Sequence, residues 1–149
     1  MKNTLIIGGL SGIGKSISQV LSSRGDNVIT LSRQKNDNNN HIQFDLSLND
    51  PNEILSHKYF FQDKIDYLVF THRYRGNDID EDFDLSIKKV EQLINKLTKN
   101  FGDNSSIVLI GSMAGHYVIK EQPSFYHSSR SAIESLARYY AVELGSLNI

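Results

Sequence analysis

The sequence contains no cysteine, which excludes a disulfide framework and any thiolate metal site and fits a reducing compartment. It has no charge excess: 16 Lys and Arg stand against 17 Asp and Glu, a formal net charge of -1. Binding to a phosphate backbone needs a clear basic surplus, so no nucleic acid is expected as a partner. Long hydrophobic runs are missing too. None approaches the ~18–20 residues of a membrane span, and the opening MKNTLIIGGL breaks at Gly8 without the long apolar region and cleavage site of a secretory leader. A soluble cytoplasmic protein without a membrane partner is the expectation. Proline occurs twice, and there is no internal repeat and no linker rich in Pro, Gly or Ser. The 149 residues suit one domain, 1–149. With 39% hydrophobic and 22% charged residues the chain can build one ordinary globular core.

Two kinds of apolar segment alternate from the first residues onward. Short, nearly continuous runs at 4–7, 27–31, 41–45, 67–70 and 107–110 read as strands, most of them buried on both faces. Between them lie helical spacings. Ile13, Ile17, Val20 and Leu21 form one stripe, with Gly25 where a residue just past a helix end would stand. Asp50 and Pro51 open a weak helix. Phe83, Ile87, Val90, Ile94, Leu97 and Phe101 are spaced alternately four and three apart, a single apolar stripe that Gly102 would stop. A last helix carries Ile133, Leu136, Ala137, Tyr140, Ala141 and Leu144 and ends near Gly145. Such alternation implies an α/β fold: a three-layer, doubly wound parallel sheet of Rossmann type, with five strands in the order 3-2-1-4-5.

The first strand runs into Gly8-Gly9-Leu10-Ser11-Gly12-Ile13-Gly14 and then directly into a helix. Glycine permits positive φ and close approach of a pyrophosphate, and the helix start offers free N–H groups and a partial positive charge. Strand-to-helix context makes a nucleotide site the better reading than a bare turn.

The spacing Gly8-x-x-x-Gly12-x-Gly14 resembles the fingerprint of the short-chain dehydrogenase/reductase family. Asp45-Leu46 resembles the family's adenine-side Asp, IVLIGSMAG at 107–115 its catalytic-serine strand, and YHSSRSAIESLARYYAVELG at 126–145 its active-site helix. These segments occur in the family's order over essentially the whole chain. The resemblance implies cofactor contacts at Gly8, Leu10, Ser11, Gly12, Ile13, Gly14, Asp45, Leu46 and Thr71, and a small-molecule carbonyl or alcohol substrate. At the end of the second strand Ser32 stands where an acid would bind a ribose 2′-OH, and Arg33 follows it. Losing the acid removes repulsion toward a 2′-phosphate and the Arg can bind one bidentately, which favours NADP over NAD.

In the family a Tyr is the general acid/base, a Lys four residues later holds the nicotinamide ribose, a Ser orients the carbonyl and a helix Asn anchors a water. Ser112 and Tyr126 match. The Lys position holds Arg130, and spacing from Ser112 puts Asp84 at the Asn position. Tyr126 and Arg130 lie one helical turn apart on one face. Free tyrosine ionises near pH ~10 and needs a neighbouring cation to act as a base near neutrality. Arg130 can supply the charge but not a proton, because guanidinium stays charged in proteins. A direct Asp84–Arg130 pair that displaces the water is expected. After the fourth strand the usual Asn-Asn-Ala-Gly is replaced by Phe70-Thr71-His72-Arg73. His72 and Arg73 are bulky; Arg73 and Arg75 read as a basic loop facing water. His41, His57, His116 and His127 show no metal-ligand spacing, so no metal site is expected.

Similar sequences continue with two more strands and a substrate lid, which are lacking here; the fifth strand is then an apolar edge. The helices at 83–101 and 124–145 correspond to the faces on which similar proteins associate, so a homo-oligomer is one expectation. Two functions are carried forward: an NADP-dependent oxidoreductase with Tyr126 as general acid/base, and a non-catalytic nucleotide-binding module.

Overall fold

A computed structural model describes residues 1–57, 60, 61 and 63–149. Strands β1 (Asn3–Ile7), β2 (Asn27–Ser32), β3 (His41–Gln43), β4 (Ile65–Phe70) and β5 (Phe101–Leu109) form one parallel sheet in the order β3-β2-β1-β4-β5. The order follows from the sequence. Each strand is joined to the next through helix or loop, so parallel neighbours and crossovers on both faces result. Ile7 lies opposite both Leu31 and Phe70, and Phe70 opposite Leu109. The glycine turn, Ser32, Thr71 and the segment leading to Ser112 therefore leave the sheet at one edge.

Alternate residues of the strands serve two cores. Leu5, Ile7, Ile29, Leu31, Leu68 and Phe70 pack with Leu93, Ile94 and Leu97 of α4 (Lys89–Leu97), with Tyr140 of α5 (Ser124–Glu143) and with Leu144 just past its end. Each such side chain contributes about 1.5–3 kcal/mol by leaving water. On the other face Ile6, Val28 and Val69 meet Ile17 and Leu21 of α1 (Gly12–Ser23). The stripe of α1 is narrower than its spacing suggests: Ile13 and Val20 are 59% and 65% exposed. Ile17 and Leu21 are four apart and suffice to seat the helix. Among the described residues no helix is long and apolar enough to cross a membrane.

The weak helix expected from Asp50 and Pro51 is the single turn α2 (Asn52–Leu55). The stripe from Phe83 to Phe101 does not form one helix. It is divided among α3 (Ile79–Phe83), a π-helical turn (Asp84–Lys88), α4, a 3-10 turn (Thr98–Asn100) and the start of β5. Asp78 starts α3 by accepting a hydrogen bond from the Glu81 N–H at 3.0 Å. Phe101 is buried at the expected position, but as the first residue of a strand, and Gly102 lies within that strand instead of stopping a helix. Pairing slips between Ile65↔Phe101 and Tyr67↔Ser106, with Asn104 at φ 59 and the Ser105 hydroxyl donating to the Ile65 carbonyl at 2.8 Å. Such a bulge leaves residues of β5 unpaired and bends the strand after Phe101. As an edge strand β5 has one neighbour, and Val108 is 43% exposed.

Close approach of three segments requires Gly14. A Cβ there would run into the Gly8 carbonyl oxygen and Thr71 Oγ1, whereas one at Gly12 would meet nothing within 4 Å. Gly12 is needed for its φ of +51 alone. Gly14→Ala should destabilise the chain by about 3 kcal/mol, the upper end for overpacking against unyielding backbone. Gly12→Ala should cost about 1 kcal/mol, the strain of left-handed backbone. Urea midpoints of the two variants check the order; equal losses would contradict it.

Candidate active site

The glycine turn is shaped by backbone contacts from two neighbouring strands. The Gly8 N–H donates to the Leu31 carbonyl at 2.7 Å. The Thr71 N–H donates to the Ile7 carbonyl at 2.8 Å, and the Thr71 hydroxyl faces the Ile7 and Gly8 carbonyls at 3.0 and 3.1 Å. Thr71 thus spends its hydroxyl on holding the turn and does not present it to a ligand. At Ser11 the backbone is extended and the side chain does not cap α1, so the first-turn N–H groups at Gly12, Ile13 and Gly14 lack both an intrahelical acceptor and a cap from Ser11. Open space over Gly12 and these donors make a cradle that fits a pyrophosphate.

Other predicted contacts lie around the same edge. Ser32 Oγ accepts from the Gln34 N–H at 3.3 Å, and Arg33 is exposed with no side-chain partner among the described residues. Asp45 Oδ1 accepts from the Ser47 N–H at 3.0 Å and the Ser47 hydroxyl at 2.6 Å. Leu46 is buried in the larger core.

Beyond β5 the Ser112 Oγ accepts from the Ala114 N–H at 3.2 Å and caps a 3-10 turn, Met113–Gly115. That turn is held to α5 by the Ser131 hydroxyl on the Gly115 carbonyl at 2.7 Å, and by His116 Nε2 with Glu134 Oε2 at 2.9 Å. Tyr126 stands half-buried in the first turn of α5. Its neighbour His127 accepts from the Ile119 N–H at 2.9 Å, so the other ring nitrogen donates to the Pro123 carbonyl at 3.0 Å. His127 shapes the loop before the helix. His41, held between Thr30 and the Gln34 carbonyl, does the same beside β3.

Comparisons with known proteins bear on the family and the fold. A family model described as enoyl-(acyl carrier protein) reductase matches residues 54–149. The chain belongs to the short-chain dehydrogenase/reductase family. A family protein from Francisella tularensis is 24% identical, with a TM-score of 0.81 over 99% of this chain and 65% of its own. An oxidoreductase of the family from Brucella ovis, solved with partially ordered NAD, is 24% identical, with a TM-score of 0.79 over 99% of this chain and 79% of that one. BdcA, solved with NADPH, is 22% identical, with a TM-score of 0.81 over 99% of this chain and 67% of its own. The chain thus spans about two thirds of the length of the first of these. No curated protein matches the sequence.

Against the family pattern, the main departure is where Arg130 points. Its side chain is 3% exposed and directed into the protein. Nη2 donates to Ser86 Oγ at 2.6 Å, Nε and Nη2 face Ser129 Oγ at 3.4 Å, and Nη2 stands 3.6 Å from Asp82 Oδ1. The two serines donate in turn to Asp82, Ser86 at 2.8 Å and Ser129 at 2.6 Å. Burial pulls the Arg130 pKa below its usual value and Arg73 adds to this, while Asp82 and Tyr126 oppose.

The expected Asp84–Arg130 pair does not form. Asp84 pairs with Lys88 at 3.0 Å on the outer side, and Asp82 takes its place. Residues two apart on a helix cannot share a face, so only one of the two acids can meet α5. Counting from Ser112 leads to this segment, and the acid in it that faces Arg130 is Asp82. Asp82 and Ser86, four apart, carried the signal: an acid and a hydroxyl on one face, opposite an Arg in the Lys position.

His72 and Arg73, the bulky replacements, are also built in. His72 Nε2–H donates to the Leu85 carbonyl in the π-turn at 3.1 Å, and its ring meets Phe70 edge-on at 5.9 Å. Arg73 is not a purely solvated charge: its guanidinium lies over the Tyr126 ring, 4.8 Å from the centroid, and Arg130 lies over the same ring at 5.1 Å.

Burial holds the His72 pKa below 6.5, with Arg130 adding to the effect against the Leu85 carbonyl. An unfolded chain takes up this proton near pH ~6.5 while the folded chain refuses it, so stability is retained above that pH and lost as pH falls below it. Urea midpoints at pH 7.5 and 5.5 should drop more for the wild type than for His72→Gln, which keeps the donor to Leu85. Identical drops would show that His72 is not responsible.

Proposed function

We propose that this chain is an NADP(H)-dependent oxidoreductase acting on a carbonyl or alcohol group of a small molecule. The observation that carries this is that an uncapped, open glycine cradle and the segment leading to Ser112 leave the sheet at one edge, where the loop after β4 sets Arg73 against the Tyr126 ring. The backbone donors of Leu10, Ser11, Gly12, Ile13 and Gly14 would hold the pyrophosphate, with Gly8, whose N–H donates to the Leu31 carbonyl, shaping the turn. Arg33, free and exposed beside Ser32, would take the 2′-phosphate, and Asp45 with Leu46 would border the adenine. A nicotinamide bound there would supply or accept the hydride. Ser112 orients the carbonyl oxygen, and the Tyr126 hydroxyl gives it a proton in reduction or takes one in oxidation. Arg130 lies over the Tyr126 ring with its charge matched by Asp82 and its Nε and Nη2 directed to Ser86 and Ser129, so no proton is relayed through it.

A non-catalytic nucleotide-binding module is the second reading, favoured by that inward commitment of Arg130. NADPH and NADH titrations followed by turnover on a panel of ketones separate the two. Arg33→Asp should weaken NADPH at least tenfold and NADH by less than threefold, because it turns a phosphate partner into a repelling charge. Equal losses would remove Arg33 as the discriminating contact, and tight NADPH binding without turnover would favour the module.

A cytoplasmic location fits the absence of cysteine. Self-association through 83–101 and 124–145 is part of the proposal, supported by Tyr139 and Val142 on α5, which are 58% and 83% exposed. Sedimentation should give a dimer at tens of micromolar, roughly the weak end of specific interfaces; a monomer there would rule it out.

A further inference from the structure

Two guanidinium groups lie over the Tyr126 ring, at nearly the same distance, and they differ in what else they touch. Arg130 is closed off from water and its charge is matched by Asp82 through Ser86 and Ser129. Arg73, in the loop after β4, is exposed and has no carboxylate partner among the described residues. Its Nη2 donates to Gln122 Oε1 at 3.3 Å, a neutral acceptor. Arg75, two residues on, is exposed and also lacks an acid.

Stacking on the ring and the bond to Gln122 restrict Arg73 before any ligand arrives. Less side-chain entropy is then lost on binding. A planar fork held this way suits a planar or tetrahedral anion, which it can meet with two parallel N–H bonds. With the Arg130 charge already neutralised, Arg73 dominates the local field at the open side of Tyr126.

We infer that Arg73 is an anion-binding residue of this site, and that the ligand meeting Tyr126 carries a carboxylate or phosphate group. The inference deepens the proposed function and rests on it only in placing a ligand at Tyr126. The anion belongs either to the substrate or to the cofactor, and the chemistry at Arg73 is the same for both.

Arg73→Gln removes the charge at an exposed position and keeps a polar side chain, so the fold should survive; an unchanged thermal midpoint verifies this. Binding is measured on the cofactor-free chain by ligand-observed NMR, with pyruvate as the anionic probe and acetone as its neutral counterpart, and separately with NADPH by fluorescence. Pyruvate affinity at least fivefold weaker in the variant, with acetone unchanged, assigns the anion to the substrate. NADPH at least tenfold weaker with pyruvate unchanged assigns it to the cofactor. Affinities for both within twofold of wild type overturn the inference, as does a wild type that binds neither. A wild type that binds pyruvate through Arg73 but no nicotinamide nucleotide would overturn the proposed function and leave the anion site standing.

Discussion

Arg130 and Asp82 are both buried, at 3% and 1% exposure, and neither could be so without the other. Stripping water from either charge costs several kcal/mol, and their attraction offsets this only if the remaining lone pairs and N–H groups are met as well. Ser86 and Ser129 meet them, each hydroxyl accepting from the guanidinium and donating to the carboxylate. Four residues from α3, the π-turn and α5 must therefore come together in one arrangement. Removing one partner would leave a bare charge, a loss of about 3–5 kcal/mol. What the arrangement secures is geometry: it fixes the start of α5, and with it the Tyr126 ring over the guanidinium.

The family's small residues after the fourth strand are replaced by groups that make new bonds at the same junction. Thr71 ties β4 to the glycine turn, His72 ties it to the π-turn, and Arg73 ties it to Tyr126 and Gln122. Three consecutive residues thus join the nucleotide cradle, the helix carrying Asp82 and the helix carrying Tyr126. The substitution at Arg130 and the one at His72-Arg73 are two sides of one repacked site.

Much of this was open to reading from residues alone. Strands buried on both faces leave continuous apolar runs, and the glycine turn leaves its spacing, so strand order and the place of that turn follow from the residues. The stripe from Phe83 to Phe101 misled because an apolar period records burial and not backbone shape, and burial continues from α4 into β5. Asp84 pairs with Lys88 and not with Arg130, because which of two acids two residues apart faces α5 is set by the backbone and leaves no mark in the spacing. Ile13 and Val20 misled because a helix over a narrow core needs fewer apolar residues than it carries. Arg73 was hidden for a different reason: its partners, Tyr126 and Gln122, are brought to it only by the fold.

The central place of β1 has a kinetic consequence. On one side it pairs with β2, where Asn3 and Asn27 are 24 residues apart; on the other it meets the end of β4, where Ile7 and Thr71 are 64 apart. The first pairing closes a loop that α1 fills, so β1, α1 and β2 can assemble early and locally. Gathering β4 onto β1 must wait on closure of a much longer segment, and contacts of such separation slow folding. Until that happens β1 presents an unpaired apolar edge, and the glycine turn, which needs Thr71, has no support. The turn between β1 and α1 therefore depends on a contact of long range, although its own residues are close in sequence.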